Sequence, residues 1–121
     1  VIKLSRNKTT RDISDIQENQ IAKLLNGKVQ SNSGGGKFNG GDVLTNNFLI
    51  EAKTTMTPKA SFGIKLKWLI KADRQAYEQN KLYYALAFRF AKNDNDFFVI
   101  NGDLMKKLVS YIERSDDERQ E

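Results

Sequence analysis

The chain has 121 residues, a net charge of +5 and 39% hydrophobic content, with neither cysteine nor histidine. Without thiols there are no disulfides, thiolate metal sites or cysteine nucleophiles, and without imidazole the commonest general base and zinc ligand are gone. Hydrolytic chemistry would have to use carboxylates, lysine, hydroxyls and a metal that accepts oxygen ligands, Mg²⁺ or Mn²⁺.

The length suits one domain with a single core. No apolar run approaches the ~20 residues of a membrane span, and no secretory signal is visible, so a cytoplasmic protein without a membrane partner is expected. Residues 113–121 hold five acids and two arginines, which leaves +8 on the rest of the chain. A body that basic is expected to meet polyanions, although charge alone also serves solubility.

Residues 1–13 read as a basic arm. Arg6, Lys8 and Arg11 either grip phosphate, take part in an exchanged dimer arm, or simply form a tail. The first helix is expected to begin after Ser14, where Ser14-x-x-Gln17 has capping-box spacing, and to stop at Gly27. Glu18, Ile21, Ala22 and Leu25 then fall on one face, which places Glu18 on the buried stripe. That carboxylate is either paired at the rim with a lysine such as Lys23 or Lys28, or functional. A short polar strand over 28–33 follows. Next comes a glycine-dense loop, with five glycines in residues 34–41. It lacks the spacing of a nucleotide-binding P-loop, but its backbone could approach phosphate closely, with Lys37 adding charge.

Residues 40–53 read as two short strands around a bend at Asn46-Asn47. Asp42 opens the first, and Phe48 to Lys53 forms the second. Alternation sends Glu51 and Lys53 to one face and Phe48, Ile50 and Ala52 to the other. A carboxylate and an ammonium at the end of an apolar strand form either a salt bridge on a solvated face or a site that needs a metal or other partner. After a polar loop over 54–61 and a short extended segment over 61–66, a second helix is predicted over 67–80, with Trp68, Leu69, Ala72 and Ala76 inward. Lys71 and Gln75 are neighbours four apart on it, ordinary surface polarity on the plainest reading and candidate DNA contacts on the functional one. Strands over 82–90, interrupted by Arg89, and over 97–100 lead to a closing helix marked by Leu104, Leu108, Tyr111 and Ile112. The tail beyond Arg114 is expected to fray. This order of helix, three strands, helix, two strands and helix predicts a three-layer α/β fold with a mixed sheet.

Asp42 followed by Glu51-Ala52-Lys53 resembles the D…(D/E)xK signature of the restriction-endonuclease-like nuclease superfamily. The run from Ser33-Gly34-Gly35-Gly36-Lys37 through Gly41-Asp42-Val43 to Phe48–Thr55 is similar to archaeal-type Holliday junction resolvases and their phage-borne relatives. The resemblance covers roughly residues 15 to 100 and implies a restriction-endonuclease-like fold. It also implies a Mg²⁺-dependent DNA endonuclease, with Mn²⁺ substituting, that acts as a homodimer on branched DNA in a prokaryotic or phage-infected cell.

By the same resemblance, Asp42, Glu51 and the Ala52 carbonyl bind metal. Glu18, ahead of Ile21-Ala22-Lys23, joins them directly or through water, and Lys53 assists the attacking water. Ser33 contacts phosphate in a loop beside the site, and Gln75 sits near the metal. Three functions stay open: a junction resolvase, a nuclease acting on other DNA structures, and a non-catalytic DNA-binding module on the same fold.

Overall fold

The computed structural model describes residues 10–30, 42–91 and 94–120. Among the described residues, three helices and five strands follow one another as α1 (Thr10–Leu25), β1 (Lys28–Gln30), β2 (Asp42–Leu44), β3 (Phe48–Lys53), α2 (Leu66–Glu78), β4 (Tyr83–Phe88), β5 (Phe97–Val99) and α3 (Gly102–Gln120). The strands make one mixed sheet in chain order, β1 to β5. Every neighbouring pair is antiparallel except β3 and β4, which α2 connects as a parallel pair. The fold is α/β, with helices on both faces of the sheet, as the order of elements predicts. The segment over 61–66 forms no strand.

Both helices that flank the sheet end in the same way. Asn26 and Asn80 take left-handed backbone angles, φ 56° and 59°. The next residue then reaches back five positions, Gly27 N–H to the Ala22 carbonyl and Lys81 N–H to the Ala76 carbonyl, both at 2.8 Å. This is a Schellman ending, with asparagine in the place glycine usually takes. Gly27, expected as the stop, has a different task. A Cβ there would lie 2.7 Å from the Leu44 carbonyl oxygen, so the missing side chain lets the end of α1 close onto β2.

Helix α1 begins at Thr10, one turn earlier than the capping-box spacing suggests. Ser14 is interior to the helix, and its hydroxyl donates to Glu18 Oε2 at 2.8 Å instead of capping an amide. Helix α3 runs on through the charged residues to Gln120, so the expected frayed tail is helical. Its start is capped by Asn101, whose Oδ1 accepts from Leu104 N–H at 2.9 Å.

Two apolar layers sandwich the sheet. Ile21 of α1 packs with Val43, Ile50, Ala85 and Ala87, flanked by Phe48, Ala52, Phe98 and Ile100. On the other face, Leu49 and Leu86 are buried beneath α2, whose Ala72 and Ala76 allow a close approach. A buried polar cluster pins α1 to the far ends of β3 and β4. Arg89 forms a two-pronged ion pair with Asp96 and donates to Gln20 Oε1 at 2.8 Å. Gln17 donates to Asp96 at 2.8 Å and accepts from the Thr54 hydroxyl at 3.2 Å. Thr55 closes the group by donating to the Arg89 carbonyl at 2.6 Å.

Candidate active site

The site is built by a hairpin. Thr45 N–H donates to the Phe48 carbonyl and Phe48 N–H to the Thr45 hydroxyl, both at 3.0 Å, which fixes the bend between β2 and β3. Val43 then pairs with Ile50, so Asp42 lies opposite Glu51, and alternation gives both to the face that α2 covers. Lys53, two residues on, shares that face.

Helix α2 completes the group. Lys71 Nζ is 3.3 Å and Lys53 Nζ 3.6 Å from the same oxygen, Glu51 Oε1. The Lys53 ammonium also lies 4.3 Å from the centre of the Trp68 ring. The other oxygen, Glu51 Oε2, is buried and has no hydrogen-bond partner. Gln75 Oε1, one turn beyond Lys71 on α2, is in the same condition, and the two are the only such side-chain atoms among the described residues. Glu51 as a whole is 6% exposed. This is no salt bridge on a solvated face, because a desolvated carboxylate with a bare oxygen calls for a further cationic or hydrogen-bonding partner.

The electrostatics agree. Burial first, and the Glu51 charge second, raise the Asp42 pKa to about 6, against the opposing pull of Lys71 and Lys53. Burial, joined by the repulsion of Lys71, lowers the Lys53 pKa below the ordinary lysine value, while Glu51 and Asp42 hold it up. Asp42, an acid whose charge is opposed by burial and by Glu51, thus stands beside an ammonium kept from full solvation.

No known protein family, curated protein or solved structure matches this chain. What the site can do therefore rests on its own donors. Asp42, Glu51 and the Ala52 carbonyl could hold a divalent cation, and the bare Glu51 oxygen fits that use. Among the described residues no three Asp or Glu side chains converge. A cation here would be held by two carboxylates and the Ala52 carbonyl, an all-oxygen donor set that suits Mg²⁺.

The expected residues divide into three groups. Asp42, Glu51 and Lys53 are together, with Ala52 between the last two, and Lys71 and Gln75 of α2 stand over the same face. Glu18 is not gathered with them. It lies on α1, which covers the opposite face through Ile21, and its carboxylate accepts the Ser14 hydroxyl. Ser33, Lys37, Arg6 and Lys8 lie outside the described residues. Arg11 falls in the first turn of α1, with its side chain outside them.

The contact of Lys71 with Glu51 is the main feature that the plain surface reading missed. Its only trace in the sequence is a lysine one turn after Trp68 on a helix that had to cross β3. A hollow of about 860 Å³, lined by Leu25, Phe48, Ile50, Phe98 and Ile100 with Lys28 and Lys81, contains no acid. It belongs to the α1 face, away from this chemistry.

Proposed function

We propose that this protein is a divalent-metal-dependent DNA endonuclease on a restriction-endonuclease-like fold, with Asp42, Glu51 and Lys53 as its catalytic group. One observation carries the reading. Two carboxylates on adjacent antiparallel strands face the same way beside a lysine two residues on, and the buried Glu51 leaves one oxygen bare. The basic body supports DNA as the polyanion, and the run of residues similar to junction resolvases supports branched DNA as its form.

A Mg²⁺ ion held by Asp42 and Glu51 would supply the Lewis acidity that polarises a phosphodiester and makes water a competent nucleophile. The residues of the chain do the rest. Lys53 places a positive charge where the transition state gathers negative charge, and its partial desolvation strengthens that contact. Trp68 lies against the ammonium of Lys53 and restricts where it can go. Lys71 neutralises part of the Glu51 charge, which keeps two close carboxylates tolerable before a cation arrives. The bare Gln75 oxygen on the same face can accept from water or substrate. Cutting opposed strands of a junction calls for two such sites related by a two-fold axis, hence a homodimer.

The test is cleavage of a four-way junction and of linear duplex in parallel, with Mg²⁺, by wild type, Asp42→Asn and Glu51→Gln. Wild type should cut the junction preferentially, and both variants should lose cleavage while binding DNA as well or better. Wild-type cleavage by either variant would overturn the site. Cutting of duplex alone would keep the nuclease and reject the junction, whereas binding of DNA without any cutting would favour the non-catalytic module.

A further inference from the structure

Helix α3 spans 19 residues, and among those described only Leu104 is buried. Met105, Leu108, Val109, Tyr111 and Ile112 are 38 to 70% exposed. Met105, Leu108, Ile112 and Ser115 follow a three-four-three spacing, the seam along which one helix meets another, and Val109 and Tyr111 flank it. The exposed apolar patch amounts to something on the order of 500 Å², at the upper end of what a soluble monomer presents.

The helix also has little means of standing alone. It contains no alanine, includes three aspartates, and is tied to the body near its start by the Lys107 ammonium, 3.1 Å from the Tyr83 hydroxyl. Its internal side-chain contacts, the Arg119–Asp116 pair, the Arg119 Nε on the Ser115 carbonyl and the Ser115 hydroxyl on the Tyr111 carbonyl, are all exposed to solvent and weak. Helical stability in such a segment comes from burial of its apolar face.

We propose that α3 is a dimerisation helix that pairs antiparallel with α3 of a second copy of this chain. The charge of the helix selects that occupant and direction. Its first turns carry Lys106 and Lys107 against Asp103, and its last turns carry Glu113, Asp116, Asp117 and Glu118 against Arg114 and Arg119. Antiparallel pairing sets the basic start of one helix beside the acidic end of the other, whereas parallel pairing sets acid against acid. An antiparallel pair is also two-fold symmetric, so it closes at two copies. Counted over both copies, the patch reaches roughly 1,000 Å², the size at which an interface becomes specific. The inference assigns an interface to the homodimer of the nuclease reading, but it is argued from α3 alone and stands whether or not Asp42 and Glu51 bind metal.

The test reads mass alone, without DNA or metal. Sedimentation of the full chain across the micromolar range should give a dimer, and Ile112→Lys should weaken it at least about thirtyfold, the loss of one interface hot spot. Ile112 is exposed in the single chain, so Trp68 fluorescence should report an intact body in the variant. Because the chain has no cysteine, Met105→Cys and Ser115→Cys variants can be mixed and oxidised, and the crosslink should join one variant to the other. A monomeric wild type, or a dimer indifferent to Ile112→Lys, would overturn the proposal. Crosslinks within each variant alone would show parallel pairing and overturn it too. A dimer without the crosslink would place α3 elsewhere, for instance in the lysine-rimmed hollow on the α1 face, and would equally reject self-pairing.

Discussion

Replacing Asp42 by Asn isolates the cost of keeping a carboxylate in this site before any cation is present. Burial, and after it the charge of Glu51, lifts the Asp42 pKa from 3.8 to about 6. That rise corresponds to about 3 kcal/mol between the two protonation states. The sign follows from proton linkage. The folded chain holds this proton more tightly than the unfolded chain, so the penalty is absent below about pH 4, grows between about pH 4 and 6, and is complete above that. Asparagine carries no charge at any of these values. The variant should therefore match wild type in acid and exceed it by up to about 3 kcal/mol near pH 7.5. Denaturant unfolding in chelator at both pH values measures this, and groups that titrate alike in the two proteins cancel in the difference. Adding Mg²⁺ at the higher pH should narrow or reverse the gap, because a ligand of the folded state stabilises the protein that binds it. A difference between the proteins that is the same at both pH values would refute the assignment of burial and Glu51 as the cause.

Other substitutions probe separate parts of the molecule. Lys53→Ala should slow cleavage about 10²–10³-fold in single-turnover assays, the scale of one lost transition-state contact, with little change in metal affinity. Arg89→Met leaves Asp96 buried without its guanidinium and should cost about 3–5 kcal/mol of unfolding free energy, and adding Asp96→Leu should recover part of it. At the end of α1, Gly27→Ala must push against the Leu44 carbonyl and should destabilise by about 1–3 kcal/mol. Asn26→Gly should hold stability or raise it slightly, because only the left-handed residue needs glycine's freedom.

The hairpin that carries Asp42, Glu51 and Lys53 was legible because strand alternation is strict and the bend at Asn46-Asn47 is unambiguous. Its register, and so the opposition of Asp42 to Glu51, follows from the same pattern. Helix boundaries were less legible. A serine followed by Gln17 three residues on looks like a cap, yet Ser14 spends its hydroxyl on Glu18 within the helix. Likewise, a stretch as charged as residues 113–120 gives no apolar signal, although Asp116 and Arg119 sit one turn apart as helical neighbours. Glu18 shows the deeper limit. Helical periodicity reveals that a residue is buried, and Glu18 is 1% exposed, but not which face of the sheet the helix will cover. The nearness of Lys71 to Glu51 depends on how α2 crosses β3, which is a tertiary fact.

The order of the strands has a consequence for how the protein is made. Each strand in the sheet lies beside the one before it in the chain, so every pairing joins a new strand to one already synthesised. Asp42, Glu51 and Lys53 leave the ribosome within a dozen residues of one another, and their hairpin can form before α2 exists. Trp68, Lys71 and Gln75 arrive later, with the crossover that begins the parallel half. A chain laid down in this order keeps most of its contacts short in sequence, which favours rapid folding. Its growing sheet edge is covered by the next strand to emerge, so little of it waits exposed to another copy during synthesis.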